Sequence, residues 1–276
     1  MRFPGSQRYS IWSPSRTVLD AKMRSTSLGP ASTRSILSEL NYEASGDSSS
    51  PSSQSILFVH CLGASAMEWI STVRYIEQTK RPFHFLLPSL RANQISNDHY
   101  CVNLLASLIQ VEAIGGSAHV VALCMGAHIA ILLATRWPNL VKSLNISGIN
   151  GFSILTKPLL PVGLFLFFPF SFAECRGLSK ILLSSRNVQS LPVRTLINVG
   201  LSPCRIAGIN THDDPKAAKD FAKQIRDQKV VVKAGEWMKH RWNVRDPNVY
   251  AAEIVSWIDD KPFSELLGRQ FVDLII

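Results

Sequence analysis

Short apolar runs alternate along this chain with stretches of helical periodicity. Two of the runs, at 56–60 and 118–123, are almost continuously apolar, which is typical of strands covered on both faces of a parallel sheet. Strands that alternate with helices predict an α/β fold with a mostly parallel sheet and helices on both of its faces. The predicted strands are 35–44, 56–60, 83–87, 118–123, 141–147, 202–209 and 229–234, and the predicted helices are 69–78, 97–112, 126–136 and 247–257.

The alternation is broken once, by a segment at 152–201 that we interpret as a small cap insertion. The other elements occupy residues 35–262, a length that suits one α/β domain with a buried core. Residues 1–34 then form an N-terminal extension, and residues 263–276 form a C-terminal tail. The most apolar run, 158–172, is interrupted by prolines and is shorter than the roughly 20 residues of a transmembrane helix. No transmembrane segment is therefore expected.

The chain is basic, with a formal net charge of +9 and a pI of about 9.5. No basic run is interleaved with aromatic residues, so nucleic acid is not an expected partner. Residues 1–36 hold six basic residues and many serines against one acid, a composition that resembles an organellar transit peptide. A cytosolic protein with an irregular extension is the simpler interpretation. We expect a cytoplasmic protein, with an organelle as the alternative.

The five cysteines are an odd number and show no paired metal-ligand spacing. This pattern argues against a disulfide scaffold or a zinc site and fits a reducing compartment. The sequence thus predicts no metal and no cofactor, and it leaves the oligomeric state open.

The segment from Ala122 to Gly126 is the most informative for chemistry, because a predicted strand runs there directly into a helix. Cys124 lies at the centre of this sharp turn, between small residues that avoid a clash with the neighbouring strand and helix. The positive end of the helix favours the thiolate form of a cysteine at this place. Free cysteines are also common as small core residues, so the turn alone does not establish a nucleophile.

Four segments of the chain resemble motifs of the α/β-hydrolase superfamily, in the same order. Residues 59–69, VHCLGASAMEW, resemble the oxyanion-loop segment VHGxGxSxxxW, and residues 87–96, LPSLRANQIS, resemble the PDLRGHGxS loop. Residues 119–148 are similar to the stretch HVVGHSMGGxIAxxxAxxxPxxVxxLxLxS. Residues 235–258 resemble the terminal segment GAGHWxxxExP and its helix. The resemblance implies an α/β-hydrolase fold with a cap insertion.

By this resemblance Cys124 takes the role of the nucleophile and His240 that of the general base. The base must act from a loop that follows the last strand, which is where His240 lies. Two other histidines are interpreted as structural. His128 is one helical turn beyond the elbow, and His119 starts a strand and so lies at the opposite end of the sheet.

The resemblance also implies a triad acid and an oxyanion hole. An acid is expected shortly after the penultimate strand, where an ungapped count places Thr211; Asp213 is the first candidate and Asp214 the second. Both carboxylates could instead cap the helix that comes after them. The oxyanion hole would use the backbone N–H groups of Leu62 and Met125.

Several departures from the family pattern mark a divergent member. Cys61, Ala92 and Ala122 stand at positions where the family has glycine, and Ser89 stands in place of an acid. This divergence raises the odds of altered or lost hydrolysis. Because the oxyanion loop of the family packs beside the elbow, Cys61 is expected either to form a thiol pair with Cys124, which could close as a reversible disulfide, or only to fill the space of the glycine.

A cysteine nucleophile suits acyl transfer from esters, thioesters and lactones. We therefore expect a hydrolase of such a bond, for example a thioesterase, that acts through a Cys–His–Asp triad on a small apolar acyl substrate. The apolar cap segment would form the wall of its pocket. The alternatives are a cyclase or acyltransferase of secondary metabolism that does not hydrolyse, and a ligand-binding pseudoenzyme with the same fold.

Overall fold

The computed structural model describes residues 37–95, 97–149, 191, 193–200, 204–206, 209–211, 215–225, 230–235, 238–262 and 272–273. Its strands are β1 (Asn41–Gly46), β2 (Gln54–Val59), β3 (Phe83–Ser89), β4 (Ala118–Leu123), β5 (Val141–Ser147), β6 (Arg194–Gly200), β7 (Cys204–Ile206), β8 (Ile209–Thr211), β9 (Val230–Gly235) and β10 (Val272–Asp273). Its α-helices are α1 (Ile70–Gln78), α2 (Ala92–Ile95), α3 (Asp98–Glu112), α4 (Met125–Arg136), α5 (Pro215–Gln224), α6 (Trp242–Arg245) and α7 (Pro247–Ile258).

Eight of the described strands form one sheet in the order β1-β3-β2-β4-β5-β6-β9-β10. The six inner strands run parallel, and the two edge strands, β1 and β10, pair antiparallel with their neighbours. The predicted mostly parallel α/β sheet is thus confirmed. Because the inner strands are parallel, the loops that follow β2, β4, β5, β6 and β9 all lie at one edge of the sheet.

Helices cover both faces of this sheet. The chain runs from β2 outward to β3 and then crosses back over β2 to β4. Since crossovers between parallel strands are right-handed, these opposite directions put α1 on one face and α3 on the other. Helix α1 packs against α6 and α7, whereas α3 packs against α4.

A cluster of buried aromatic rings fills the face covered by α1 and α7. The ring centroid of Phe58 lies 5.2 Å from that of Trp69, which lies 5.9 Å from that of Tyr250. Trp242 meets Tyr250 edge-on, with centroids 4.3 Å apart. Such pairs contribute about 0.5–1.5 kcal/mol each beyond the area they bury. Since Trp242 follows His240 by two residues, the cluster anchors the loop that carries the predicted base.

Two predictions in the second half of the sheet were wrong. The described residues of the predicted strand 202–209 do not join the main sheet; they belong to β7 and β8, which pair antiparallel as a separate two-stranded sheet. The parallel strand in this part is β6, between β5 and β9, although its residues were assigned to the insertion. Residues 202–209 contain Pro203 and Gly208, which disfavour a central strand. Segments 194–200 and 202–209 are both short and apolar, and only the pairing with neighbouring strands shows which of them belongs to the main sheet.

The ends of the domain also differ from the prediction. The strand expected at 35–44 begins at Asn41, and residues 37–40 form a turn before it. Strand β10 lies in the predicted C-terminal tail and pairs with β9. The N-terminal extension and the apolar run 158–172 lie outside the described residues. Among the described helices, none has the length and apolar character needed to cross a membrane.

A buried polar network connects β5, β6 and α7. The Nδ2 of Asn198 donates to Oδ1 of Asn145 at 3.1 Å, and the Nδ2 of Asn145 donates to Oε2 of Glu253 at 3.1 Å. Burial raises the pKa of the Glu253 carboxyl to about 7, although the hydrogen bonds from the asparagines act in the opposite direction. The fold therefore favours the protonated form of this carboxyl below neutral pH.

The substitution Glu253→Gln is expected to raise the free energy of unfolding at pH 7 and above. The change that it causes should be up to about 3 kcal/mol more favourable there than at pH 4.5. In the parent, the unfolded chain loses this proton near pH 4.5, whereas the folded chain holds it to about pH 7. The free energy of unfolding of the parent therefore falls as the pH rises through this window and levels off above it. Urea denaturation of both proteins from pH 4.5 to 8 measures the difference. A difference that does not change with pH would contradict the prediction.

Candidate active site

The turn between β4 and α4 holds Cys124 in a strained backbone conformation. Its φ is 62° and its ψ is −121°, in a region that residues with a side chain rarely adopt. The close approach of helix and strand explains the glycine two residues later. A Cβ on Gly126 would lie 2.4 Å from the carbonyl oxygen of Val59 and 2.7 Å from that of His60. The turn thus has the backbone of a nucleophile elbow.

Three nucleophilic or basic groups meet at this elbow. The sulfurs of Cys61 and Cys124 and one ring nitrogen of His240 all lie within 4.8 Å of one another. The three residues are buried, with exposed fractions of 7%, 1% and 3%. Each comes from a different loop at the carboxyl edge of the sheet, after β2, β4 and β9. The structure therefore brings Cys61, Cys124 and His240 together at one end of the sheet.

The imidazole of His240 packs directly on the backbone after β5. Gly148 has a φ of +66°, and a Cβ on it would lie 2.6 Å from Cε1 and 2.9 Å from Nδ1 of His240. The His240 loop also rests on the end of β6, since a Cβ on Gly200 would lie 2.9 Å from the carbonyl oxygen of Met238. Two glycines at strand ends thus leave the space that the ring and its loop occupy.

The two backbone N–H groups expected to form the oxyanion hole both approach the nucleophile position. Those of Leu62 and Met125 donate to the sulfur of Cys124. Burial raises the pKa of Cys124, the neighbouring thiol raises it further, and these two N–H groups lower it only in part. Both donors are thus directed at the Cys124 sulfur, where they stabilise its charged form.

The two thiols are hydrogen-bonded to each other. The hydrogen bond from Cys124 lowers the pKa of Cys61 to about 6 against the effect of burial, and His240 lowers it further. Because the sulfurs share this contact, loss of the first proton is favoured and loss of the second is opposed. Charge on the singly ionised pair is stabilised by the N–H groups at Cys124 and by His240 at Cys61.

The oxyanion loop is fixed by hydrogen bonds to the β3 loop. His60 accepts the N–H of Leu90 at Nε2, at 2.8 Å, so its Nδ1 carries the proton and donates to the carbonyl of Cys61, also at 2.8 Å. Burial lowers the pKa of His60, which is consistent with this neutral form. Ser89, which replaces the family's acid, accepts the N–H of Ala66 at 3.1 Å.

A buried carboxylate links the oxyanion loop to the loop of the predicted base. Glu68 accepts the backbone N–H of Cys61 at Oε2, at 2.8 Å. Its other oxygen, Oε1, accepts from Nε and Nη2 of Arg241 at 2.9 and 2.8 Å. Since Arg241 directly follows His240, Glu68 sets the distance between the two loops. We call Glu68 and Arg241 the loop clamp.

The substitution Arg241→Ala is expected to lower the free energy of unfolding by about 1–2 kcal/mol, because Glu68 loses two charge-assisted hydrogen bonds. The half-exposed guanidinium is screened by water, which keeps the effect below that of a fully buried pair. We also expect acyl transfer to slow on the order of 10-fold, because the base loop is less well fixed. Arg245→Ala is the matched control, since the ion pair that the described part of the chain gives Arg245 is a loose one with Asp246, at 3.7 Å. Equal effects of both substitutions on denaturation and on rate would contradict a positioning role.

Neither His119 nor His128 is part of this cluster. Asp213 and Asp214 lie outside the described residues. His119 starts β4 and contacts Ser143 at 2.8 Å and Gln54 at 2.7 Å, far along the strand from the elbow. His128 is buried within α4.

The sequence left two alternatives for Cys61, a thiol pair with Cys124 or packing in the space of the replaced glycine. The structure places the two sulfurs within 4.8 Å of each other, as free thiols. The loop clamp was missed by the sequence analysis, because Glu68 and Arg241 are far apart in sequence.

One curated relative identifies the superfamily of this chain, although a scan of family models does not. No protein-family model matches the chain. An AB hydrolase superfamily protein from Gibberella zeae is 32% identical over 237 residues, which are 76% of this chain and 82% of the relative. The chain therefore belongs to the α/β-hydrolase superfamily, and its class is that of an α/β-hydrolase-type enzyme.

Solved structures with similar folds are more distant in sequence. MGS-MChE2, an α/β hydrolase from a lagoon-sediment metagenome, is 16% identical with a TM-score of 0.60, and the match covers 80% of this chain and 95% of that one. A haloalkane dehalogenase variant from Bradyrhizobium elkanii is 17% identical with a TM-score of 0.53, covering 80% and 93%. A laboratory-evolved potato epoxide hydrolase is 14% identical with a TM-score of 0.54, covering 80% and 95%. These likenesses show the fold.

Proposed function

We propose that this protein is an acyl-transfer enzyme that hydrolyses an ester, thioester or lactone with Cys124 as its nucleophile. One observation carries the proposal: the Cys124 sulfur lies at a strained elbow, receives two backbone N–H groups and has a His240 nitrogen within 4.8 Å. Nucleophile, oxyanion donors and base are the three parts that acyl transfer requires.

In the first half-reaction, His240 takes the proton of Cys124 and the thiolate attacks the acyl carbon. The oxyanion of the tetrahedral intermediate is held by the N–H groups of Leu62 and Met125. The imidazolium then gives its proton to the leaving alkoxide or thiolate, and the acyl group remains on Cys124 as a thioester. In the second half-reaction, His240 takes a proton from water, which attacks the thioester and releases the acid and the free thiol.

An acid that orients His240 completes the proposed triad. Asp213 is the first candidate and Asp214 the second, from their place shortly before α5. A carboxylate at the imidazole would fix its tautomer and stabilise the imidazolium that forms during acylation.

The chemistry of sulfur narrows the proposed substrate class. A thiolate reacts slowly with amides but exchanges readily with thioesters and activated esters. The reason is that the thioester formed on the enzyme is about as reactive as these substrates and far more reactive than an amide. The apolar run 158–172 in the insertion supports an apolar acyl group as the part recognised.

Trapping of the acyl-enzyme tests the proposal. The reduced protein, kept with a chelator, would be mixed with aryl thioesters and aryl esters of short and long chains, quenched in acid and weighed intact. We expect one acyl group per chain on the tryptic peptide 92–136. This peptide holds both Cys124 and Cys101, whereas Cys61 lies on peptide 35–74, so a Cys101→Ala protein makes the assignment unique.

The outcomes separate the proposed functions. Acylation of Cys124 followed by release of free acid supports a hydrolase. Acylation followed by transfer only to an added alcohol or amine would support an acyltransferase instead. A protein with neither adduct nor turnover, yet with apolar acids bound, would support the ligand-binding alternative.

A further inference from the structure

The cluster of Cys61, Cys124 and His240 contains one more group than a nucleophile–base pair needs. Its three donor atoms, two sulfurs and an imidazole nitrogen, lie within 4.8 Å of one another and are buried. Tetrahedral zinc holds such donors about 3.6–3.8 Å apart, given bonds of about 2.3 Å to sulfur and 2.0–2.1 Å to nitrogen. Movements of about 1 Å or less would therefore close the cluster around an ion.

We propose that Cys61, Cys124 and His240 form a binding site for Zn²⁺ that occupies the nucleophile and the base together. Two thiolates and one imidazole with an open fourth position are a ligand set that zinc adopts in proteins. The two thiolate charges neutralise the dication, so the complex adds no net charge to a buried site. Soft sulfur donors also favour zinc over magnesium or calcium.

The ligands are positioned by surrounding structure, as a metal site requires. The backbone N–H of Cys61 is held by Glu68, which the second half of the loop clamp, Arg241, fixes in turn. The backbone of Cys124 is fixed at the elbow, and Gly148 supports the ring of His240. All three donors are therefore already held near the positions that a metal ion would require.

Metal binding and acyl transfer would exclude each other at this site. A zinc-bound Cys124 sulfur shares the electron pair that attacks the acyl carbon, and a zinc-bound His240 nitrogen cannot take a proton. The inhibition rests on the proposed function, whereas the binding of the ion does not. Zinc would thus hold the enzyme inactive until a chelator or a competing thiol removes the ion.

Titration of the reduced, metal-free protein with Co²⁺ tests the site directly. We expect one ion per chain, a sulfur-to-cobalt charge-transfer band in the near ultraviolet and the visible bands of tetrahedral cobalt, all removed by Zn²⁺. The substitution Cys61→Ala should weaken binding by more than about 100-fold, because even the loss of outer partners costs 10- to 100-fold. The matched control is Cys101→Ala, which removes a buried cysteine of α3 and should bind as the parent does.

Either of two results would overturn the proposal. If the reduced parent gives no charge-transfer band, or if Cys61→Ala binds as tightly as Cys101→Ala, the three residues do not form a metal site. Trapping of the acyl-enzyme in chelator is a separate measurement, so each hypothesis fails independently. Binding of cobalt without acylation of Cys124 would refute only the proposed function, and acylation without binding would refute only the metal site.

Discussion

Replacement of Cys124 by alanine is expected to lower the rate of acyl transfer by a factor of about 10⁴ to 10⁶, to the level left by binding and the oxyanion hole. The substitution removes the atom that would form the proposed covalent intermediate, and no other described thiol lies on the elbow. Stability should change little, because alanine fits the small space between strand and helix. Initial rates on the best thioester of the trapping experiment measure the effect, and thermal denaturation confirms the fold.

Two further variants make this result specific. The double substitution of Cys124 and His240 by alanine should cost little more than Cys124→Ala alone, because residues that act as one unit are strongly non-additive. Cys101→Ala should keep the parent rate. If Cys124→Ala retains more than about one hundredth of the activity, the nucleophile is another group, and Cys61 would be the next candidate.

Most of the fold could be predicted because its strands are buried on both faces. The strand at 118–123 was predicted to the residue, since a nearly continuous apolar run bounded by turns leaves little choice. The strand at 141–147, VKSLNIS, was also predicted to the residue. Strand β6 was missed although its sequence, RTLINVG, is as apolar as that of β5. Its assignment depends on pairing with β5 and β9, which are distant in sequence, and local periodicity holds no information about such partners.

The site was predictable where it depends on one short segment. Cys124, Met125 and the small residues around them lie within a few positions of each other, and the close approach to β2 requires the glycine at 126. The contact of Cys61 with His240 depends on two loops brought together by sheet order, and the sequence places them almost 180 residues apart. For the same reason the sequence could not predict the loop clamp, since Glu68 and Arg241 are also far apart along the chain.

The substitution Gly148→Ala is expected to slow acyl transfer by about 100-fold while the protein remains folded. The new methyl carbon would lie 2.6 Å from Cε1 of His240, where ordinary contact needs nearly 1 Å more. The backbone at the end of β5 is held in the sheet, so the imidazole of His240 must shift from its present position. A displacement of about 1 Å in a catalytic group costs on the order of 10²-fold in rate.

The backbone conformation of Gly148 has to be separated from the steric effect. Alanine at a φ of +66° costs about 1–2 kcal/mol of stability wherever it occurs. Gly115 has a φ of +69°, and a methyl carbon added there would meet no atom within 4 Å, so it provides the same strain without a neighbour. We therefore expect Gly148→Ala and Gly115→Ala to lose similar stability in urea, but only Gly148→Ala to lose rate. A parent-like rate in Gly148→Ala would mean that the ring of His240 does not need its present position, and the assignment of His240 as the base would fail with it.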